Sequence, residues 1–70
     1  MKLGIIGFGG RISHIVREIL KKRPDAEVVG YVDPRHIPDE EIAYLRRRPE
    51  VCASAEDLIE RLRPDGLLIG

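Results

Sequence analysis

The sequence predicts an α/β fold, a doubly wound parallel sheet of four strands and three helices, incomplete for a sheet of this kind. Three observations predict it. Strand-like and helix-like segments alternate along the whole chain, the order that builds a parallel sheet with crossover helices. The first, second and fourth strand segments are nearly continuous apolar runs, as strands covered on both faces are. Glycine or proline stands at the junctions, at Gly7, Pro24, Pro34, Pro38, Pro49 and Pro64, where it ends one element before the next begins.

The first strand is residues 2–6, Lys-Leu-Gly-Ile-Ile. Residues 11–23 follow as a helix, because Ile12, Ile15, Val16, Ile19 and Leu20 recur at the i, i+3, i+4, i+7, i+8 spacing of one buried face. Lys21, Lys22 and Arg23 set positive charge at the negative end of its dipole, and Pro24 prevents continuation. Residues 27–32, Glu-Val-Val-Gly-Tyr-Val, are the second strand. The turn-rich Pro34-Arg-His-Ile-Pro38 leads into a second helix over residues 39–48, with acids at its start, arginines at its end, and Ile42 and Leu45 facing the sheet. The Arg46-Arg47-Arg48 run can grip a phosphate or an acidic partner, but its place before Pro49 favours a helix C-terminal charge.

Residues 50–53 form a short third strand, with Cys52 as a small apolar residue on it. Ser54-Ala-Glu-Asp57 is a capping box, the serine hydroxyl capping the N3 amide while Asp57 reaches back. It opens a third helix with Leu58, Ile59 and Leu62 on its apolar face and Pro64 at its end, and residues 66–69 are the last strand. Right-handed crossovers put the first two helices on one face and the third on the other. The winding reverses between the first and fourth strands, so the Gly7 to Gly10 loop and Gly70 should border one crevice.

That loop is the candidate functional element. An apolar strand runs into Gly7, Gly9 and Gly10 and then into an amphipathic helix, the layout of a dinucleotide phosphate cradle. Gly7 permits a sharp turn at the strand end, and Gly9 removes a side chain that would hold a pyrophosphate off the backbone. The helix adds free N–H groups and a positive dipole end. Asp33 closes the second strand about twenty residues further on, where a carboxylate accepts hydrogen bonds from the adenosine ribose and repels a 2′-phosphate, which favours NAD. Asp33-Pro34 also has the composition of a simple turn initiator.

Seventy residues, 43% hydrophobic and of zero net charge, describe one small globular unit. The charge balance gives no support for nucleic-acid or anionic-membrane binding. No apolar run approaches the roughly 18 residues of a membrane span, and the first strand starts too soon for a secretory signal, so a cytoplasmic location is expected. One cysteine allows no internal disulfide and no cysteine-rich metal site, and His14 and His36 with scattered carboxylates do not make a metal centre. A chain of this size hides only about 60% of its unfolded surface and ends on an apolar strand, which together suggest the front portion of something longer.

Gly4 to His14, Val28 to Arg35, Ser54 to Ile59 and Pro64 to Ile69 together resemble the N-terminal Rossmann part of the glucose-fructose oxidoreductase and inositol dehydrogenase (Gfo/Idh/MocA-like) family, a likeness that covers essentially the whole chain. The resemblance implies a two-domain NAD(P)-dependent oxidoreductase acting on sugars, polyols or related small molecules, with residues 1–70 in the nucleotide-binding domain and the substrate held by a domain outside them. It also implies a homo-oligomer at full length. It makes Gly7, Gly9 and Gly10 the pyrophosphate loop, with Phe8, Arg11 and Ile12 supplying backbone groups or flanking contacts. It makes Asp33 the ribose acceptor. Arg35 either lies over the adenine, pairs with a 2′-phosphate if NADP is used, or is an exposed loop arginine. Ile12 stands where the simple fingerprint has glycine or alanine, which implies slightly wider packing of helix on strand. The family's catalytic lysine and histidine lie outside residues 1–70, so no catalytic residue is assigned. The alternative is a non-catalytic dinucleotide-binding module or a degenerate remnant.

Overall fold

Isolated strand segments this short cannot satisfy their own backbone groups. In the computed structural model, which describes residues 1–70, they do so by pairing side by side. The chain runs β1 (Lys2–Ile6), α1 (Gly10–Lys22), β2 (Glu27–Val32), α2 (Asp39–Ile42), β3 (Glu50–Val51), α3 (Ala55–Leu62) and β4 (Gly66–Ile69). The sheet order is β3-β2-β1-β4 and every pairing is parallel. This is the expected α/β architecture, with the winding reversed between β1 and β4.

The two sheet faces are built differently. On one, Leu3, Ile5, Val28 and Tyr31 meet Ile12, Val16 and Leu20 of α1, and Phe8, Ala26, Ile37, Ile42 and Leu45 complete a single apolar cluster. On the other, α3 lies close over β1 and β2 because two strand glycines make room. A Cβ on Gly4 would stand 2.5 Å from a Leu58 methyl, and one on Gly30 would meet Leu62 and the Glu50 carbonyl. Leu3 pairs with Val28 and Gly4 with Gly30, so β2 carries one extra residue, Val29. That slip brings the two glycines abreast beneath α3, where fully buried Leu58 fills the gap.

Three expectations are corrected. The buried stripe of α1 is narrower than its sequence pattern, since Ile12, Val16 and Leu20 are buried while Ile15 is 39% exposed. Ile15 lies on the flank toward β4, the last strand on its side, where no further element covers it. Leu67 and Ile69 on β4 itself are exposed for the same reason, and Ile59 on α3 is exposed as well. The third strand is two residues long rather than four. Cys52 follows it, buried, with its N–H still donating to the Tyr31 carbonyl at 2.9 Å. Burial pushes the Cys52 thiol pKa up.

The second helix is the largest correction, spanning residues 39–42 and not 39–48. Beyond it the chain turns so that Arg46 serves α1. Its guanidinium donates to the carbonyls of Leu20 (2.6 Å), Arg23 (3.1 Å), Pro24 (3.1 Å) and Ala26 (2.6 Å). They lie at the end of α1 and in its exit turn, where helix carbonyls run out of i+4 partners, although the Arg23 carbonyl also accepts from the Ala26 N–H at 3.0 Å. Arg47 and Arg48 pair with Glu27 and Asp39. Tyr44 joins α1 as well, its hydroxyl 2.9 Å from the Ser13 hydroxyl and its ring 3.9 Å from the Arg17 guanidinium. Tertiary hydrogen bonds thus replace the last helical turns, and the first arginine of the run, Arg46, caps the first helix instead of its own.

Candidate functional site

The loop from β1 to α1 is fixed mostly by its backbone. Gly7 has φ +80°, which glycine adopts without strain, and its N–H donates to the Val32 carbonyl at 2.8 Å. The Phe8 ring turns into the core and meets Tyr31 edge to face at 5.7 Å. Its N–H is committed to Asp33 at 2.8 Å, so Phe8 offers no free backbone donor. Gly9 is the N-cap of α1 in an extended conformation and supplies no side-chain cap. The first intrahelical bond runs from the Ser13 N–H to the Gly9 carbonyl. The amides of Gly10, Arg11 and Ile12 therefore have no protein partner, and the first turn holds no acidic residue to offset its positive end.

The glycines differ in what surrounds them, and at Gly66 a Cβ would make only an ordinary contact with Leu3 at 3.5 Å. At Gly4, Gly30 and Gly70 a Cβ would run into neighbouring protein atoms, and Gly7 has its positive φ. Packing and backbone geometry therefore explain these four. At Gly9 and Gly10 a Cβ would meet nothing within 4 Å, and neither has a positive φ. Packing demands glycine at neither position; at Gly9 glycine is an ordinary N-cap, and at Gly10, inside the helix, it is about 1 kcal/mol worse than alanine. What they keep clear is space outside the protein, beside the start of α1.

Two clefts share this pair of glycines. One, of about 390 Å³, is lined by Phe8, Gly9 and Gly10 with Ser13, His14 and Arg17 of α1, Arg35, Ile37, and Glu41 of α2. The other, of about 510 Å³, is lined by Gly7, Gly9, Gly10, Arg11, Ile12 and Ile15 with Ile69 and Gly70. The Gly7 loop and Gly70 thus border one crevice, as the winding reversal requires, with the Gly70 N–H donating to the Ile6 carbonyl at 2.8 Å. Ile12 fits in place of a smaller residue because Gly70 has no side chain. A Cβ there would lie 2.6 Å from Ile12 Cγ1.

Asp33 is placed beneath the loop, its side chain only 7% exposed. One carboxylate oxygen accepts from the Phe8 N–H, the other from the Arg35 N–H at 2.9 Å. It therefore ties the end of β2 to the glycine loop while keeping lone pairs for a further donor. Arg35 reaches back over it. One guanidinium nitrogen donates to the Phe8 carbonyl at 2.8 Å, and another stands 3.5 Å from Glu41. Asp33 and Arg35 thus act as one unit with the loop.

The sequence pattern singled out the loop glycines, Asp33 and Arg35, and all of them meet here. It did not single out Ser13, Arg17, Ile37 or Glu41. Ser13 and Arg17 repeat at the helical i, i+4 interval after Gly9, a signal that could have been read. Glu41 carried none, since its place depends on how the short α2 docks. His14 lines the first cleft, and His36 is exposed in the loop after β2. No cluster of three or more metal-ligating side chains occurs, and no helix is long and apolar enough to cross a membrane. Compared with protein-family models, curated proteins and solved structures, the chain matches none.

Proposed function

We propose that this chain is the nucleotide-binding part of an NAD(P)-dependent oxidoreductase and that the glycine loop holds the cofactor's pyrophosphate. The observation that carries the reading is the open space at Gly9 and Gly10, where packing demands no glycine and three helix amides lack partners. A pyrophosphate supplies what that space lacks, an anion with acceptor oxygens at a positive helix end. The two clefts on either side match a ligand of two unequal halves joined at a phosphate bridge. Adenosine takes the side of Asp33, Arg35 and Ile37, and the nicotinamide half takes the side of Ile69 and Gly70.

A bound nicotinamide would supply hydride chemistry. The chain's own residues bind and orient. Gly10, Arg11 and Ile12 donate backbone N–H groups, Asp33 sets the loop and accepts from a ribose hydroxyl, and Gly70 keeps the second cleft open beside Ile12. The resemblance to the glucose-fructose oxidoreductase family supports a sugar, polyol or related small molecule as the hydride partner. Titration calorimetry with NADH tests the binding step. Saturable binding at micromolar to millimolar NADH is the expected result, and no heat from either NADH or NADPH would overturn the reading.

A further inference from the structure

Arg35, which follows Asp33 and lines the first cleft, is a cation placed to greet a phosphate at the ribose end, and it is already engaged. Its guanidinium donates to the Phe8 carbonyl at 2.8 Å, lies 3.8 Å from Asp33, and stands 3.5 Å from the carboxylate of Glu41. Glu41 comes from α2, lines the same cleft, and is half exposed. A 2′-phosphate entering there would compete with Glu41 for the guanidinium and would sit beside two carboxylates, Glu41 and Asp33. A ribose with a free 2′-hydroxyl meets neither cost.

We infer that Glu41 is a specificity-determining residue that holds Arg35 away from a 2′-phosphate and so sets the preference for NAD over NADP. This rests on the dinucleotide reading of the cleft. The pair is solvated, so its effect is a bias and not an absolute bar. Glu40, one position earlier on the same helix, is exposed, lines neither cleft and makes no ion pair or side-chain hydrogen bond. It therefore separates the Glu41–Arg35 contact from the general negative charge of α2.

The experiment is calorimetric titration of the parent protein, Glu41→Gln and Glu40→Gln with NADH and with NADPH. In Glu41→Gln the affinity for NADPH relative to NADH should rise about three- to tenfold, the scale of one solvated ion pair plus one relieved repulsion. In Glu40→Gln the ratio should stay within about twofold of the parent, as for a charge outside direct contact. An unchanged ratio in Glu41→Gln, or an equal rise in Glu40→Gln, overturns the role of Glu41 while NADH binding by the parent leaves the dinucleotide reading standing. If the parent binds neither dinucleotide, that reading fails and the role of Glu41 falls with it.

Discussion

Asp33 anchors the glycine loop, and in the proposed function it also meets the ribose. Its two oxygens already accept the N–H groups of Phe8 and Arg35, so its removal strands two donors at the base of the loop. Asp33→Ala should cost about 1–3 kcal/mol of stability, the range for unmaking such bonds, seen as a lower urea midpoint. It should also weaken NADH more than NADPH, because only the unphosphorylated ribose offers its 2′-hydroxyl to the carboxylate. Equal losses for the two would remove the ribose role and leave Asp33 as a loop anchor alone. Asp33 was legible as a candidate because it ends an apolar strand at the right interval from the glycines. Its bond to the Phe8 amide was not, since the approach of β1 to β2 across the sheet is not written in either segment.

Among the elements, α1 and α3 are held at their ends by side chains from elsewhere in the chain or from their own first turn. Arg46 sets one guanidinium on four carbonyls, that of Leu20 in the last turn of α1 and those of Arg23, Pro24 and Ala26 in the exit turn. Arg46→Ala should lower stability by about 1–2 kcal/mol, and Arg46→Lys should recover only part of it, because a single ammonium cannot span the same four positions. Thermal melts of the three proteins check the order. At the start of α3, Ser54 accepts the Asp57 N–H at 3.1 Å, while Asp57 accepts from the Ala53 N–H and from Arg61 through two nitrogens. The bonds from Arg61 hold the Asp57 carboxyl below its ordinary pKa. Since the folded value is the lower one, this contribution is present in full above the usual carboxylate range and fades as pH falls through the folded value. Asp57→Asn should therefore lose sensitivity to acid in urea melts taken between about pH 5 and pH 2, the window in which carboxylates titrate. The capping box was readable from Ser54 and Asp57 alone. The end of α2 was not, because charge order and apolar spacing over residues 39–48 suit a helix, whereas the chain after Ile42 turns to place Tyr44 and Arg46 on α1, contacts that no local pattern encodes.

Over the whole molecule, the sheet order, the helix faces and the crevice at the reversal of winding were legible because they follow from alternation of apolar segments and from the hand of the crossovers. Exposure was less legible. Ile15, Ile69 and Leu67 read as buried residues by pattern and are exposed because they stand at the β4 edge of the assembly. Glycine was the most informative residue type once space around it could be seen. Gly4 and Gly30 admit α3, Gly70 admits Ile12, and Gly9 and Gly10 admit nothing belonging to the protein. The central claim is that this last space belongs to a dinucleotide. The direct test is Gly9→Val, a substitution that the extended backbone at Gly9 accepts, followed by urea melts and NADH titration. Stability should stay within about 1 kcal/mol of the parent, the scale of a changed N-cap, while NADH affinity falls at least tenfold. Unchanged NADH affinity in a folded Gly9→Val protein would contradict the central claim.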